Sequence, residues 1–88
     1  MTQQRSEKIL ISLKRKSGLP VAAWAKKHGL NRVVVYEAAK GAGSRRARVA
    51  IALELNEDPV DLWPDRGENT LKLDRWAYRE AAWKEITI

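Results

Sequence analysis

The chain has no cysteine and a single histidine, His28. Without thiols there is neither a disulfide framework nor a thiolate zinc site, and one imidazole is too few for a histidine-built metal centre. No apolar run approaches the roughly 20 residues a membrane-spanning helix needs. The opening MTQQRSEK carries charge but lacks the apolar centre of a signal peptide. A Gly-rich phosphate loop, a nucleophile elbow and a paired-acid arrangement are also missing, and no carboxylate or nucleophile stands near His28 in sequence. These absences argue against an enzyme. No cofactor, metal or membrane is expected, and the expected location is the cytoplasm, associated with the nucleoid.

Acidic residues are scarce in one half. Residues 5–48 hold twelve basic side chains and two acidic ones, Glu7 and Glu37. Residues 49–64 hold four acids (Glu54, Glu57, Asp58 and Asp61) and no base, while residues 65–88 carry five of each, for a net charge of +6. A domain with evenly solvated faces has no reason to segregate charge in this way. A surface that meets a polyanion does, because each neutralised phosphate releases condensed counterions. The acids after Val49 then mark a face turned away from that polyanion.

What is present is helical. With 88 residues, 44% of them hydrophobic, there is room for one domain with a modest core. Ser6 is a candidate N-cap for a first helix, EKILISLKRK, with Ile9, Leu10 and Leu13 on one face. Lys14, Arg15 and Lys16 crowd its last turn, where cations suit the helix dipole, and Ser17 and Gly18 end it. Leu19 points inward and Pro20 opens a second helix, VAAWAKKH, which half-buries Trp24. Gly29 takes a left-handed turn after His28, a helix-terminal residue, and Asn31 caps a third helix. In that helix Val34, Val35, Ala38 and Ala39 face inward, with Val35 against Ala22 and Ala25. KGAGS reads as a flexible loop, and its Ser44 caps RRARVAIALEL, where Val49, Ala50 and Leu53 share a face alongside Ile51 and Ala52. Asn56 ends that helix. DPVDLWP is a short turn of helix, capped by Asp58 and opened by Pro59, with Leu62 and Trp63 under the core.

Beyond Pro64 the texture changes. Residues 1–64 form the expected main unit and residues 65–88 a C-terminal linker and helical extension. DRGENT is the linker, Asp74 the cap, and Trp76, Glu80, Trp83 and Thr87 fall in one column beside Ala77 and Ala81. Two tryptophans on so short a segment are expected to pack on the body of the chain or on a partner, which makes Trp76 and Trp83 the candidate oligomerisation or partner residues.

The pair of helices around Gly29 has the spacing of a helix-turn-helix, two helices crossing steeply through a short turn. Its second helix would enter the major groove of duplex DNA. Asn31, Arg32, Val33, Tyr36 and Glu37 are the candidate base contacts: Arg for guanine O6 and N7, Asn for adenine or a phosphate, Val for a thymine methyl, Tyr for a base or a phosphate oxygen, Glu for cytosine N4 or to orient Arg32. Lys26, Lys40, Ser44, Arg45 and Arg46 are the candidate phosphate contacts. The two arginines sit in the first turn of a helix, where the dipole disfavours cations and the free N–H groups favour an anion.

VAAWAKKHGLNRVVVYEAA, then RRARVAIALEL, then DPVDLWPDR resembles the Ner-like family of phage and bacterial transcriptional regulators. The more specific part is IALEL followed by a proline and the LWP triplet with a nearby Arg. The resemblance covers about residues 9–66. It implies an all-α, lambda-repressor-like helix-turn-helix bundle of about five helices, here with a Trp-containing extension. It also implies sequence-specific duplex DNA binding in transcriptional control, as a phage-type repressor or regulator. Asn31, Arg32, Val33 and Tyr36 would lie in the groove, with Arg45 and Arg46 on the backbone. A homodimer is the expected state, since one such unit touches one half-site. Two other readings stand beside this one. The chain could be an interaction module that engages RNA polymerase or another regulator through its tail, or a nucleoid protein without sequence preference.

Overall fold

Leu13, Trp24, Val35, Ile51 and Trp63 come from five different segments of the chain and meet at its centre, each 1% exposed or less. The computed structural model describes the backbone of residues 2–87 and the side chains of residues 5–83. Among these it contains six helices and no strand: α1 (Thr2–Ser17), α2 (Val21–Lys27), α3 (Arg32–Ala39), α4 (Arg45–Leu55), α5 (Pro59–Leu62) and α6 (Glu68–Thr87). The fold class is all-α. α1, α3 and α4 pack on one another, α2 lies against α1 and α3, and α5 and α6 close over α4.

The chain breaks fall where local chemistry sets them. Gly18 and Gly29 adopt φ of 72° and 67°, and Asn56 leaves α4 at φ 56°, ψ 43°. Asn31, Ser44 and Asp58 cap α3, α4 and α5, their side chains accepting from the N–H of Val33, Ala47 and Val60. Pro59 occupies the first turn of α5, where its missing N–H leaves no bond unmade.

Several expectations are corrected. α1 begins at Thr2, so Ser6 lies within it and is buried instead of capping it. Arg5 fastens that first turn by donating to Asp65 at 2.6 Å. Trp24 is wholly buried rather than half-buried, because its indole N–H finds an internal acceptor in Glu54 Oε1 at 2.7 Å. Ala22 is exposed, so of the two alanines expected under Val35 only Ala25 lies in the core. Val34 is half-buried at the core margin. The buried face of α4 is Ala47, Arg48, Val49, Ile51, Ala52 and Leu55, whereas Ala50 and Leu53 line an open groove with Ala77.

The C-terminal segment differs most. The supposed linker is short, since α6 starts at Glu68, an acid in the first turn that suits the dipole. Asp74 does not cap this helix. It lies inside it, wholly buried, and holds two arginines of α4. Arg48 donates Nε to Asp74 Oδ2 at 2.7 Å and Nη2 to Oδ1 at 3.1 Å, and Arg45 Nε donates to Oδ1 at 3.0 Å. On the next turn Tyr78 packs against the core; burial and the nearby carboxylates of Asp58 and Glu57 raise its phenol above the ordinary value. The Thr87 side chain lies outside the described residues.

A buried ion pair adds little net stability over a well-packed apolar pair, but stranding one of its charges is costly. Asp74→Ala should therefore destabilise the chain by about 3–5 kcal/mol in urea denaturation. Adding Arg48→Met in that background should recover part of the loss, because it removes the stranded guanidinium. A midpoint unchanged by Asp74→Ala would rule out this structural role.

Candidate nucleic-acid interface

α3 divides cleanly along its length. Val35, Ala38 and Ala39 are buried against α1, α2 and α4, while Arg32, Val33, Tyr36 and Glu37 are exposed. The exposed face contains Val33 at 59% and Tyr36 at 39%, unusual surface for an apolar and an aromatic side chain that make no contribution to the core. Each of these side chains is displayed outward because the alternate positions are locked inward.

The turn before α3 is built from α2's own end. Leu30 N donates to Ala25 O at 2.7 Å and Gly29 N to Lys26 O at 3.1 Å, which closes α2 and aims the chain into Asn31. Asn31 is exposed, and its Oδ1 is already engaged by the Val33 N–H at 2.8 Å. Its amide N–H groups are what it has left to offer outward. Glu37 does not orient Arg32; its carboxylate lies 3.9 Å from Lys40 Nζ, one turn on.

The cations divide into two groups. Lys26, Lys40 and Arg46 are exposed, and Lys27 next to Lys26 in sequence is exposed as well. Arg46 reaches back to the turn, donating Nη2 to His28 O at 3.4 Å, so the start of α4 and the end of α2 are held together. Arg45 is different. Its head is engaged by Asp74, although the side chain stays 45% exposed. Ser44 Oγ accepts from Ala47 N at 3.4 Å and so belongs to the helix cap.

No family model matches the chain, and no curated protein or solved structure matches it at a significant level.

Beneath these surface groups lies a support that the sequence reading overlooked. Arg48 donates Nη1 to Ala42 O at 3.1 Å and to Gly43 O at 2.9 Å, in addition to its grip on Asp74. The expected flexible loop is thus pinned from inside. Arg48 sits three residues before Ile51 and four before Ala52, on the buried stripe of α4. That spacing was the available signal: an arginine on an apolar stripe requires a carboxylate, though not which one. His28 caps the end of α2, with its ring centroid 4.3 Å from that of Trp24 and its Nε2 4.0 Å from Glu54 Oε1. Trp76 and Trp83 lie on α6, away from the core, both exposed. Among the described residues no cluster of three or more His, Cys, Asp or Glu could hold a metal ion. No described helix is long and apolar enough to cross a membrane.

Gly41 shows how tightly the loop is held. It has φ 87°, and a Cβ there would lie 2.9 Å from Cδ1 of the buried Trp63, whose indole N–H donates to Ala39 O at 2.9 Å. Gly41→Ala meets both left-handed strain and overlap with that ring. Thermal denaturation should show a loss of roughly 2–3 kcal/mol, or about 10 °C or more in Tm. A wild-type melting curve would mean the loop has slack.

Proposed function

We propose that this chain binds duplex DNA sequence-specifically, as a transcriptional regulator of the helix-turn-helix type, with α3 as the helix that enters the major groove. The observation that carries the reading is the outward face of α3. Arg32, Val33, Tyr36 and Glu37 stand exposed on a helix whose opposite face is fixed in the core, and Lys26, Lys40 and Arg46 are exposed too, Arg46 at the turn that precedes α3. An α-helix with its side chains is about 10–12 Å across, which fits a major groove about 12 Å wide. The set of side chains suits base edges: a guanidinium for guanine, an apolar methyl-sized surface for thymine, a carboxylate for cytosine. The basic half of the sequence supplies the phosphate attraction.

The resemblance to Ner-like regulators, with their lambda-repressor-like fold, supports the same reading. The geometry refines the roles. Arg46 and the N–H groups of Arg45 and Arg46 are the phosphate grip; the next two along α4 are already taken, Ala47 N–H by Ser44 Oγ and Arg48 N–H by Ser44 O. Arg45, drawn toward Asp74, contributes charge more than contact. No catalytic step is part of this proposal.

Selection of bound duplexes from a random pool tests it directly. A defined motif should emerge, and Arg32→Ala should cost roughly 1–3 kcal/mol on that motif while relaxing preference at one base pair. Equal loss on all sequences would make Arg32 a phosphate contact instead. Arg46→Ala should weaken binding to every duplex alike and reduce the slope of log affinity against log salt by about 0.9. An absence of affinity for any duplex in dilute buffer would end the reading.

A further inference from the structure

Trp76 and Trp83 are 64% and 63% exposed on the outer face of α6, and Leu73, one turn before Trp76, is 50% exposed. The other large exposed apolar side chains (Ile11, Val33 and Tyr36) belong to α1 and α3. Seven residues separate the two indoles, so they share a face roughly 10 Å apart along the axis. Arg79 and Glu80 lie between them, and these four side chains line one shallow cleft of about 210 Å³. α6 is already anchored on its inner side by Asp74 and Tyr78. These side chains stand outside this chain's own core, and large exposed indoles sharing one helix face mark a contact surface.

We propose that this face binds a second copy of the chain, pairing the α6 helices of two protomers. Charge selects this occupant. The patch carries one cation and one anion, so two copies related by a two-fold axis can set each Arg79 against the partner's Glu80. Nucleic acid or an acidic peptide would be drawn to the basic residues 5–48 and not to a patch without net charge. Area fits as well. Tryptophans bury roughly 150–250 Å² each when fully covered. The four indoles, two leucines and the stems of the charged pair therefore offer on the order of 1,000 Å² in total, just under the range of stable specific interfaces. The result is a weak dimer in rapid exchange. It would present two α3 helices to paired half-sites, so its purpose rests on the DNA-binding reading although its formation does not.

Sedimentation velocity on the full chain in DNA-free buffer, over a wide concentration range, tests the pairing. The wild type should shift from monomer toward dimer, and the Trp76→Ala/Trp83→Ala variant should remain a monomer with its helical circular dichroism intact. Arg79→Glu and Glu80→Arg should each weaken self-association about tenfold, by placing like charges together. An equimolar mixture of those two variants should recover association, because only the mixed pair is complementary at both contacts. A wild-type chain that stays monomeric at millimolar concentration overturns the proposal, and so does a mixture no better than its components; a patch that failed here yet captured RNA polymerase or another regulator would belong to that partner. Duplex affinity measured on the same samples reads separately: a monomer that binds DNA removes only the pairing, and a dimer without affinity removes only the DNA reading.

Discussion

One buried fork organises the molecule. Arg48 meets Asp74 through two nitrogens, and its third reaches the carbonyls of Ala42 and Gly43. A guanidinium is planar and presents its donors in fixed directions, so engaging all three of its nitrogens fixes three pieces of chain relative to one another. Those pieces are α4, the loop between α3 and α4, and α6. Without the carboxylate, a charge on the apolar stripe of α4 would have no tenable position. α6 is therefore attached to the body by chemistry as well as by apolar contact.

The same carboxylate also divides the labour of two neighbouring cations. Arg45 and Arg46 are adjacent in sequence, yet one turns in toward Asp74 and the other turns toward the carbonyl of His28. Arg46 thereby spans from α4 to the end of α2, beside the turn that launches α3. The start of α4, the Gly29 turn and the outward face of α3 thus form one surface because their supports interlock. Trp63 adds a second lock under the loop, its ring against Gly41 and its N–H on the last residue of α3. On the proposed reading, a helix that reads bases needs this kind of backing, since a shift of an ångström displaces every side chain it presents.

What the sequence disclosed was local. Asn31, Ser44, Asn56 and the Asp58, Pro59 pair each act on backbone within a few residues, so their caps and turns were legible without knowledge of the fold. The apolar periodicity of α1 and α3 likewise named Ile9, Leu13, Val35, Ala38 and Ala39 for the core. What stayed hidden depended on distant partners. Asp74 has the chemistry of a cap and was read as one, because nothing nearby reveals that an arginine 26 positions earlier will claim it. Ser6 misled for a related reason: a good capping residue need not cap when the preceding chain is tethered, here by Arg5 to Asp65. KGAGS looked loose because glycine permits many conformations, whereas burial against Trp63 and two hydrogen bonds from Arg48 select one. For the candidate interface, exposure of the α3 face was foreseeable from its period. The engagement of Arg45 and of the Asn31 oxygen was not.

The exposed faces of α3 and α6 differ in a way that would keep their proposed tasks apart. The face of α3 stands within a cationic surround, so two such faces repel each other and attract polyanions. The face of α6 is larger in apolar content and balanced in charge, so it gains nothing from a phosphate and loses nothing by meeting its own copy. On the proposed DNA-binding reading, a single α3 would span one half-site, and the affinity of so short a contact would be limited. Joining two through the proposed helix pair would raise the effective concentration of the second for its half-site without strengthening either contact. A weak pair is the more useful kind for such a task, because assembly then depends on the spacing of sites in the DNA instead of proceeding in its absence.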